Sequence, residues 1–464
     1  MSAIRFLSIL VLMVLAGCGQ QVTKQALPLS HLSDEAFLDS LQYYNFKYFL
    51  GELNPENGLV RDRTKSGAPS SIAAVGFAIP VWAIGAEKGW ISREEALRYT
   101  VEAMNFFWHS PQSGTDPMAS GHKGFYYHFL NMETGEREWA CELSTIDTAW
   151  LIAGMRFAAQ YFDRDHADEA RVRALADSLT FRIDWDWTTA GSDHRSPGAV
   201  FMGWRPENGV GPAAWTGYNE ALYLYVLAAG SGYRDARSAY QVWLDHYHWD
   251  EPYPEIGNLE HALFPPLFGH QYSHMFIDFR GIGDAYMREK GIDYFENSRR
   301  AVLAQQEYAR RNIKGWKGYN ELIWGLTACD GPGEKFNFDD KVFRTYSARG
   351  TSGEGENFKQ TYFDDGTIAP TAPGASVPFA PEVTIPTLRA MYDQYGGKGL
   401  WGKYGFYDSF NPTLDWIDGD FLGIDQGPIV IMIENYKTGL IWKYCMKDPV
   451  IQKGLEILDF GPLK

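Results

Sequence analysis

The sequence predicts an all-α fold, an (α/α)6 toroid in which about twelve helices form two concentric rings. Two observations carry that prediction. Helical segments that are apolar all round alternate along the chain with segments that are polar on one face. An inner ring buried on every side and an outer ring with one wet face need that alternation. The segments are also joined by long Gly- and Pro-rich loops, and structureless loops of such length in a compact domain usually carry function.

The elements follow in chain order. Residues 33–50 open on a cap, Ser33-Asp34-Glu35, and keep Phe37, Leu41, Tyr44 and Tyr48 at helical spacing. Residues 70–88 are small and apolar, with Ile72, Val75, Ile79, Trp82 and Ala86, so burial on most sides is expected, with a kink at Pro80. Ser92-Arg93-Glu94-Glu95 is a capping box leading to Leu97, Val101, Met104 and Phe107. Residues 145–162 are apolar and 167–183 amphipathic; 218–230 and 233–247 repeat the pair, as do 270–290 and 293–311. Further helices are expected from Leu322, over 382–395 and 426–435, and over 440–446. Long loops fall at 110–142, 186–216, 250–269, 330–381 and 396–425. Within the first, Phe125-Tyr126-Tyr127-His128-Phe129 alternates enough for a short hairpin.

The chain of 464 residues divides into three expected parts. Residues 1–18 read as a lipoprotein signal: Arg5, an apolar run over 6–16 too short to span a bilayer, and Leu15-Ala16-Gly17-Cys18, with Cys18 the lipidated residue. Residue 19 is Gly rather than Asp, so an outer-membrane anchor in a Gram-negative envelope is expected, on its periplasmic or surface face. Residues 19–32 are expected to form a polar tether, and 33–464 a single domain. The formal net charge of −16 excludes nucleic acid as a partner and disfavours acidic polysaccharides, which leaves neutral glycans. Cys141, Cys329 and Cys445 lack metal-ligand spacing and read as isolated buried thiols. Aromatics reach 15%, with 16 Trp and 27 Tyr; such rings stack on sugar faces, and they also fill helical cores.

The chemistry-bearing residues cluster. Gly217-Tyr218-Asn219-Glu220 returns as Gly318-Tyr319-Asn320-Glu321, each copy before an apolar run. Carboxylates at loop-to-helix junctions among Trp and Tyr are what a sugar-cleaving cleft needs. Glu220 is expected in the first turn of its helix, where burial near Trp215 and Tyr218 raises its pKa and suits it to donate a proton, while capping is the competing role. Glu142 lies free before a helix whose Ser144 N-cap and Asp147 make a box, with Trp139 beside it as a sugar platform. Glu321, with Trp324 and Asp330 downstream, suits hydroxyl binding. Asp408 sits in an aromatic loop; Asp425 precedes Pro428 and could cap the helix that follows. His270 and His274 lie one turn apart, and sugar or core hydrogen bonding is the expected use, not metal. Asp278 and Arg280 are expected to pair.

Taken together, these motifs resemble the bacterial glucoamylase-like family, which includes endo-β-1,2-glucanases and sophorose-releasing enzymes. The resemblance runs through 142–149, 217–221, His270-Gln271-Tyr272, 276–280, 320–332, 370–373, 423–429 and Glu434-Asn435-Tyr436. It implies the toroid, β-1,2-glucan as substrate, and inversion with Glu220 as general acid. Asp147, Asp408 and Asp425 stay open as the base. Glu142, Trp139, Trp215, Tyr218, Asn219, His270, Tyr319, Asn320, Glu321, Trp324 and Asp330 are the expected substrate-binding residues. No metal or organic cofactor is called for. The alternatives are a lipid-anchored glycan-binding protein without catalysis, a glucosidase for another linkage, and phosphorolysis or transglycosylation. Phosphorolysis needs a basic phosphate pocket, and no Arg/Lys cluster accompanies the acidic motifs.

Overall fold

The computed structural model describes residues 29–339, 341–351 and 362–463. The expected leader with its lipidated Cys18, and the tether as far as residue 28, lie outside the described residues. The chain is mostly helical. Over 33–50 it forms Asp34–Phe46 (α1), capped by Ser33, and then a separate turn, Tyr48–Gly51 (α2). Buried Asn45 donates its amide to the Leu41 carbonyl at 2.7 Å, the kind of side-chain bond that competes with a helix's own ladder.

Ile72–Glu87 (α3) is buried along nearly its whole length. Arg93–His109 (α4) carries the expected capping box between Ser92 and Glu95. Thr145–Tyr161 (α5) crosses α3 so closely that a Cβ on Gly154 would lie 2.0 Å from the Gly76 carbonyl. Pro80, inside α3, supplies no N–H to that carbonyl, which is left to face α5. Ala167–Phe181 (α6), Leu222–Ser231 (α7) and Ala236–Leu244 (α8) continue the alternation of wet-faced and buried helices. α7 starts after Glu220, so that residue stands in the turn before the helix and not in its first turn.

The helix expected over 270–290 is two. Phe268–Phe276 (α9) ends at extended Ile277, and Ala285–Lys290 (α10) restarts from an Asp284 cap. The Asp284 carboxylate also accepts the Tyr240 and Tyr294 hydroxyls at 2.6 and 2.8 Å, which fixes the break from the neighbouring helices. Tyr294–Arg311 (α11) is capped by Asp293. No helix begins at Leu322; Asn320 and Ile323 bridge across a tight turn instead. The short Thr371–Gly374 (α12) takes the inner place, followed by Pro381–Tyr395 (α13). Gly423–Lys437 (α14), Leu440–Cys445 (α15) and Pro449–Ile457 (α16) come last. α14 begins earlier than expected, so Asp425 lies inside its first turn and does not cap it. Pro428 leaves the Ile424 carbonyl without its helical partner, and the Tyr272 hydroxyl donates to that carbonyl at 3.0 Å.

The buried helices close a circuit. α3 lies on α5, α5 on α7, α7 on α9, α9 on α14, and α14 back on α3. α12 sits beside α14, and Gln271 of α9 donates to its Ala372 carbonyl at 2.7 Å. Outside them, α4, α6, α8, α11, α13 and α1 pack on α3, α5, α7, α9, α12 and α14 respectively. A five-stranded antiparallel sheet orders Gly121–His122, Phe125–Tyr127, Leu143–Ser144, Gly203–Arg205 and Gly209–Val210. Leu143–Ser144 runs straight into α5, so the sheet covers the end of the circuit where α5 begins.

Candidate active site

Side chains at the starts of the buried helices converge on that end. One acidic group forms around α5. Ser144 caps α5 by accepting the Asp147 N–H, and its hydroxyl donates to Asp147 Oδ2 at 2.5 Å. His128 donates through Nδ1 to Glu142 Oε1 at 3.0 Å, and its Nε2 stands 3.6 Å from Asp147 Oδ2. Arg205 holds the other Glu142 oxygen at 2.9 Å. Burial alone would hold the His128 pKa down, but the charges of Asp147, Glu142 and Asp62 lift it to about 9. Burial likewise pushes Glu142 up, and the His128 bond and charge with Arg205 outweigh it and bring it to about 2. This group is therefore an ionised carboxylate bound to an imidazolium at neutral pH.

Glu220 lies next to it in a different state. It is 9% exposed, and among the described residues nothing bonds its Oε2. Burial first, and then the negative charge of Asp147, push its carboxyl up to about 7 against the pull of its own backbone N–H. A carboxylic acid that keeps its proton near neutrality is suited to general-acid work.

A second acidic group joins Asp408, on a loop, to Asp425, in the first turn of α14. Asp408 and Asp425 are both buried, and one oxygen of each lacks a bond among the described residues. Burial, followed by the charge of Asp425, drives Asp408 well above the usual carboxylate range, and burial raises Asp425 to about 7. Like charges this close titrate as a pair that holds one proton through neutral pH. Asp408 Oδ2 also accepts the Asp330 N–H at 2.7 Å, and Arg63 bridges Asp330 at 2.5 Å and Asp62 at 2.9 Å. Asp330, Asp408 and Asp418 each offer an oxygen within 4.8 Å of the others, a spacing a hard cation could use, although Arg63 already brings positive charge there. Tyr272 stands between the two groups, since the charges of Asp425, Glu220 and Asp147 all act on its buried hydroxyl.

The loops of Asp330 and Asp408 are mounted on one buried ion pair. Arg349 grips Asp365 through Nε and Nη2 at 2.8 and 2.9 Å, both side chains being 0% exposed. Its Nη1 also holds the Cys329 carbonyl at 2.6 Å, next to Asp330, while Asn411 donates to the Asp365 carbonyl at 2.9 Å, near Asp408. The loops that carry Asp330 and Asp408 are thus tied from behind.

The expected site residues divide. Glu220, Asp147, Asp408, Asp425, Glu142 and Asp330 come together, and Trp139 lies exposed at the rim. Trp215 and Tyr218 do not offer their faces to the cleft: Trp215 is buried with its indole N–H on Thr145 at 3.0 Å, and Tyr218 stacks on Tyr294. They back the Glu220 turn. Asn219 and Asn320 are absorbed in closing their own turns. His270 is buried, bonded to the Phe264 carbonyl and held well below its usual pKa by burial, so it is a neutral packing residue. Tyr319 donates to Asp364, Trp324 is 1% exposed, and Glu321 is exposed beside Gln306, so none of these three joins the carboxylates. Asp278 and Arg280 pair as expected at 2.7 Å, beyond the end of α9. Cys141, Cys329 and Cys445 are free and buried. Sequence reasoning missed Asp62, Arg63, His128 and Arg205. The charged triplet Arg61-Asp62-Arg63 just ahead of an apolar helix was the available signal; His128 was hidden in an aromatic run, at the bend between two strands.

A family described as putative glucoamylase matches residues 212–449. An exo β-1,2-glucooligosaccharide sophorohydrolase (non-reducing end) from Parabacteroides distasonis is 30% identical, over 92% of this chain and 58% of its own. The chain thus spans 58% of the length of that curated relative. A crystal structure of a putative glucoamylase from Bacteroides uniformis superposes with a TM-score of 0.77 at 32% identity, covering 93% of this chain and 98% of that one. An endo-β-1,2-glucanase from Chitinophaga pinensis, in complex with sophorotriose and glucose, superposes with a TM-score of 0.76 at 28% identity, covering 93% of this chain and 99% of that one.

Proposed function

The chain belongs to the putative glucoamylase family, and from that premise we propose that it is a glycoside hydrolase that cleaves β-1,2-glucan with inversion at the anomeric carbon. The observation that carries the reading is Glu220: a buried carboxyl with a free oxygen, raised to about 7, beside a cleft whose other acidic groups are ionised or share a proton. The relatives named for β-1,2-glucan substrates support the linkage. The closed circuit of buried helices, each backed by a wet-faced one, supports an (α/α)6 toroid.

In this mechanism Glu220 protonates the departing glycosidic oxygen. A second carboxyl activates water on the far side of the sugar, directly or through a sugar hydroxyl, and inverting pairs leave room for that water with carboxyls roughly 6.5–9.5 Å apart. Of the three candidates, the Asp408–Asp425 pair is favoured. Each has a buried oxygen without a bond among the described residues, whereas Asp147 has none such and its Oδ2 is held by Ser144 near His128. Glu142, Asp330 and Arg205 are placed for sugar hydroxyls. Lipid anchoring through Cys18, in the outer membrane facing the periplasm or the surface, completes the proposal. Cys18→Ser should release the protein from the membrane fraction.

The deciding experiment incubates the protein with a panel of β- and α-glucans and reads product length and anomer. Shortened β-1,2-glucan with the α-anomer released first is the expected result. Binding without shortening would make this a glycan-binding protein instead. An initial β-anomer would rule out inversion.

A further inference from the structure

The segment that carries Glu142 begins in a strained turn. Trp139 and Ala140 both have positive φ, 55° and 45°, and neither is glycine. Such backbone persists only where its surroundings over-determine it, and it concentrates at ligand clamps. Arg137 over-determines this one. Its buried guanidinium donates to the Cys141 and Ala140 carbonyls at 2.6 and 2.9 Å and is strapped to Glu207 at 2.6 Å. Arg205 adds a bond to the Ala140 carbonyl at 3.3 Å.

The strap holds the Trp139 ring 57% exposed, although burial of so large an apolar surface would favour folding. The indole rests against Phe129 at 4.8 Å, and Phe129 stacks on His128 at 3.9 Å. A row of rings therefore runs from the Glu142–Asp147 centre out to an exposed Trp. Beside that row stands the Arg205–Glu142 pair, with side chains 39% and 30% exposed. An apolar ring face next to charged hydrogen-bonding groups matches a pyranose, which has an apolar face and a rim of hydroxyls.

We propose that Trp139, held by the Arg137–Glu207 strap, is a preset platform for a glucosyl residue beyond the bond that Glu220 cleaves, and that it sets the chain length the enzyme prefers. The inference rests on the β-1,2-glucanase reading. Steady-state rates on purified β-1,2-glucooligosaccharides of increasing length test it. Trp139→Ala should lower kcat/KM on the longer oligomers about tenfold, through KM, as the loss of one ring contact would. The shortest oligomer cleaved should keep its rate within about twofold. Arg137→Met keeps the indole but frees the turn, and should reproduce part of the same length-dependent loss with a cooperative melting curve. If Arg137→Met does not fold, Trp139→Ala decides alone. A folded Trp139→Ala enzyme with the wild-type length profile would overturn the platform while leaving the hydrolase reading intact. Wild-type protein that cleaves none of the oligomers overturns the parent reading, and the platform with it.

Discussion

At residues 217–220 and again at 318–321 the same four residues, Gly-Tyr-Asn-Glu, make the same turn. Each begins on a glycine with positive φ, 73° and 96°. In each, the Asn amide donates back to the glycine carbonyl at 2.9 Å, and its Oδ1 accepts the N–H two residues on, at 2.9 and 2.8 Å. Both tyrosines are buried. The glutamates then part. Glu220 is turned inward between α7 and the Asp147 carboxylate and keeps a proton near neutrality. Glu321 is exposed, because the chain behind it folds back at Ile323 and does not enter a buried helix. Four residues are enough to determine a turn. They do not determine what the acid at its end can do, because titration is governed by burial and by charges brought from elsewhere in the chain.

Substitutions can sharpen or break this contrast. The largest effect expected is on turnover: Glu220→Gln should cut kcat by about a thousandfold or more, the scale of a lost general acid, and Glu321→Gln should change it less than about twofold. Equal losses in the two variants, measured on β-1,2-glucan, would erase the distinction. Stability should move the other way. Glu220 has a folded pKa of about 7, above its unfolded value near 4.5, so the fold favours its protonated form. The penalty is absent below about pH 4.5, grows as pH rises, and reaches roughly 3 kcal/mol above pH 7. Denaturant titrations should therefore find Glu220→Gln more stable than wild type at pH 8 and equal to it at pH 4. Glu321→Gln should match wild type at both.

The shared part of the turns gives a smaller, matched effect. Asn219→Ala and Asn320→Ala should each cost about 1–2 kcal/mol through lost turn bonds, and only the first should also depress kcat. Asp147→Asn should have the smallest effect. Removing the negative charge beside Glu220 should lower the basic limb of the kcat/KM profile from near pH 7 by about one unit or less. A limb that rises or stays put would show that this limb reports another group.

Much of the helical framework was legible because burial all round and burial on one face leave different apolar patterns. The exceptions have local causes. The Asp284 carboxylate, holding two tyrosines from neighbouring helices, breaks a segment whose periodicity reads as continuous. The run after Glu321 is apolar and, from Ile323 on, buried, yet Asn320 closes it into a turn. In the site, acids next to capping signals could be picked out one by one. Their partners could not. Asp408, on a loop tied back through Asn411 to the Arg349–Asp365 pair, meets Asp425 from the first turn of α14, and His128 meets Glu142 only once the strands pair. Trp215 and Tyr218 illustrate the converse: aromatic rings beside an acid look the same in sequence whether they face a ligand or support the acid from behind.

Tyr272 shows how a helix irregularity reaches the acidic site. Pro428 leaves one carbonyl of α14 bare, and the phenol answers it with its single O–H. What remains on that oxygen is lone pairs only. A group that hydrogen-bonds to it must bring its own hydrogen, so under the proposed hydrolase reading the tyrosine would favour hydroxyl-bearing rings over deoxy or O-methylated ones.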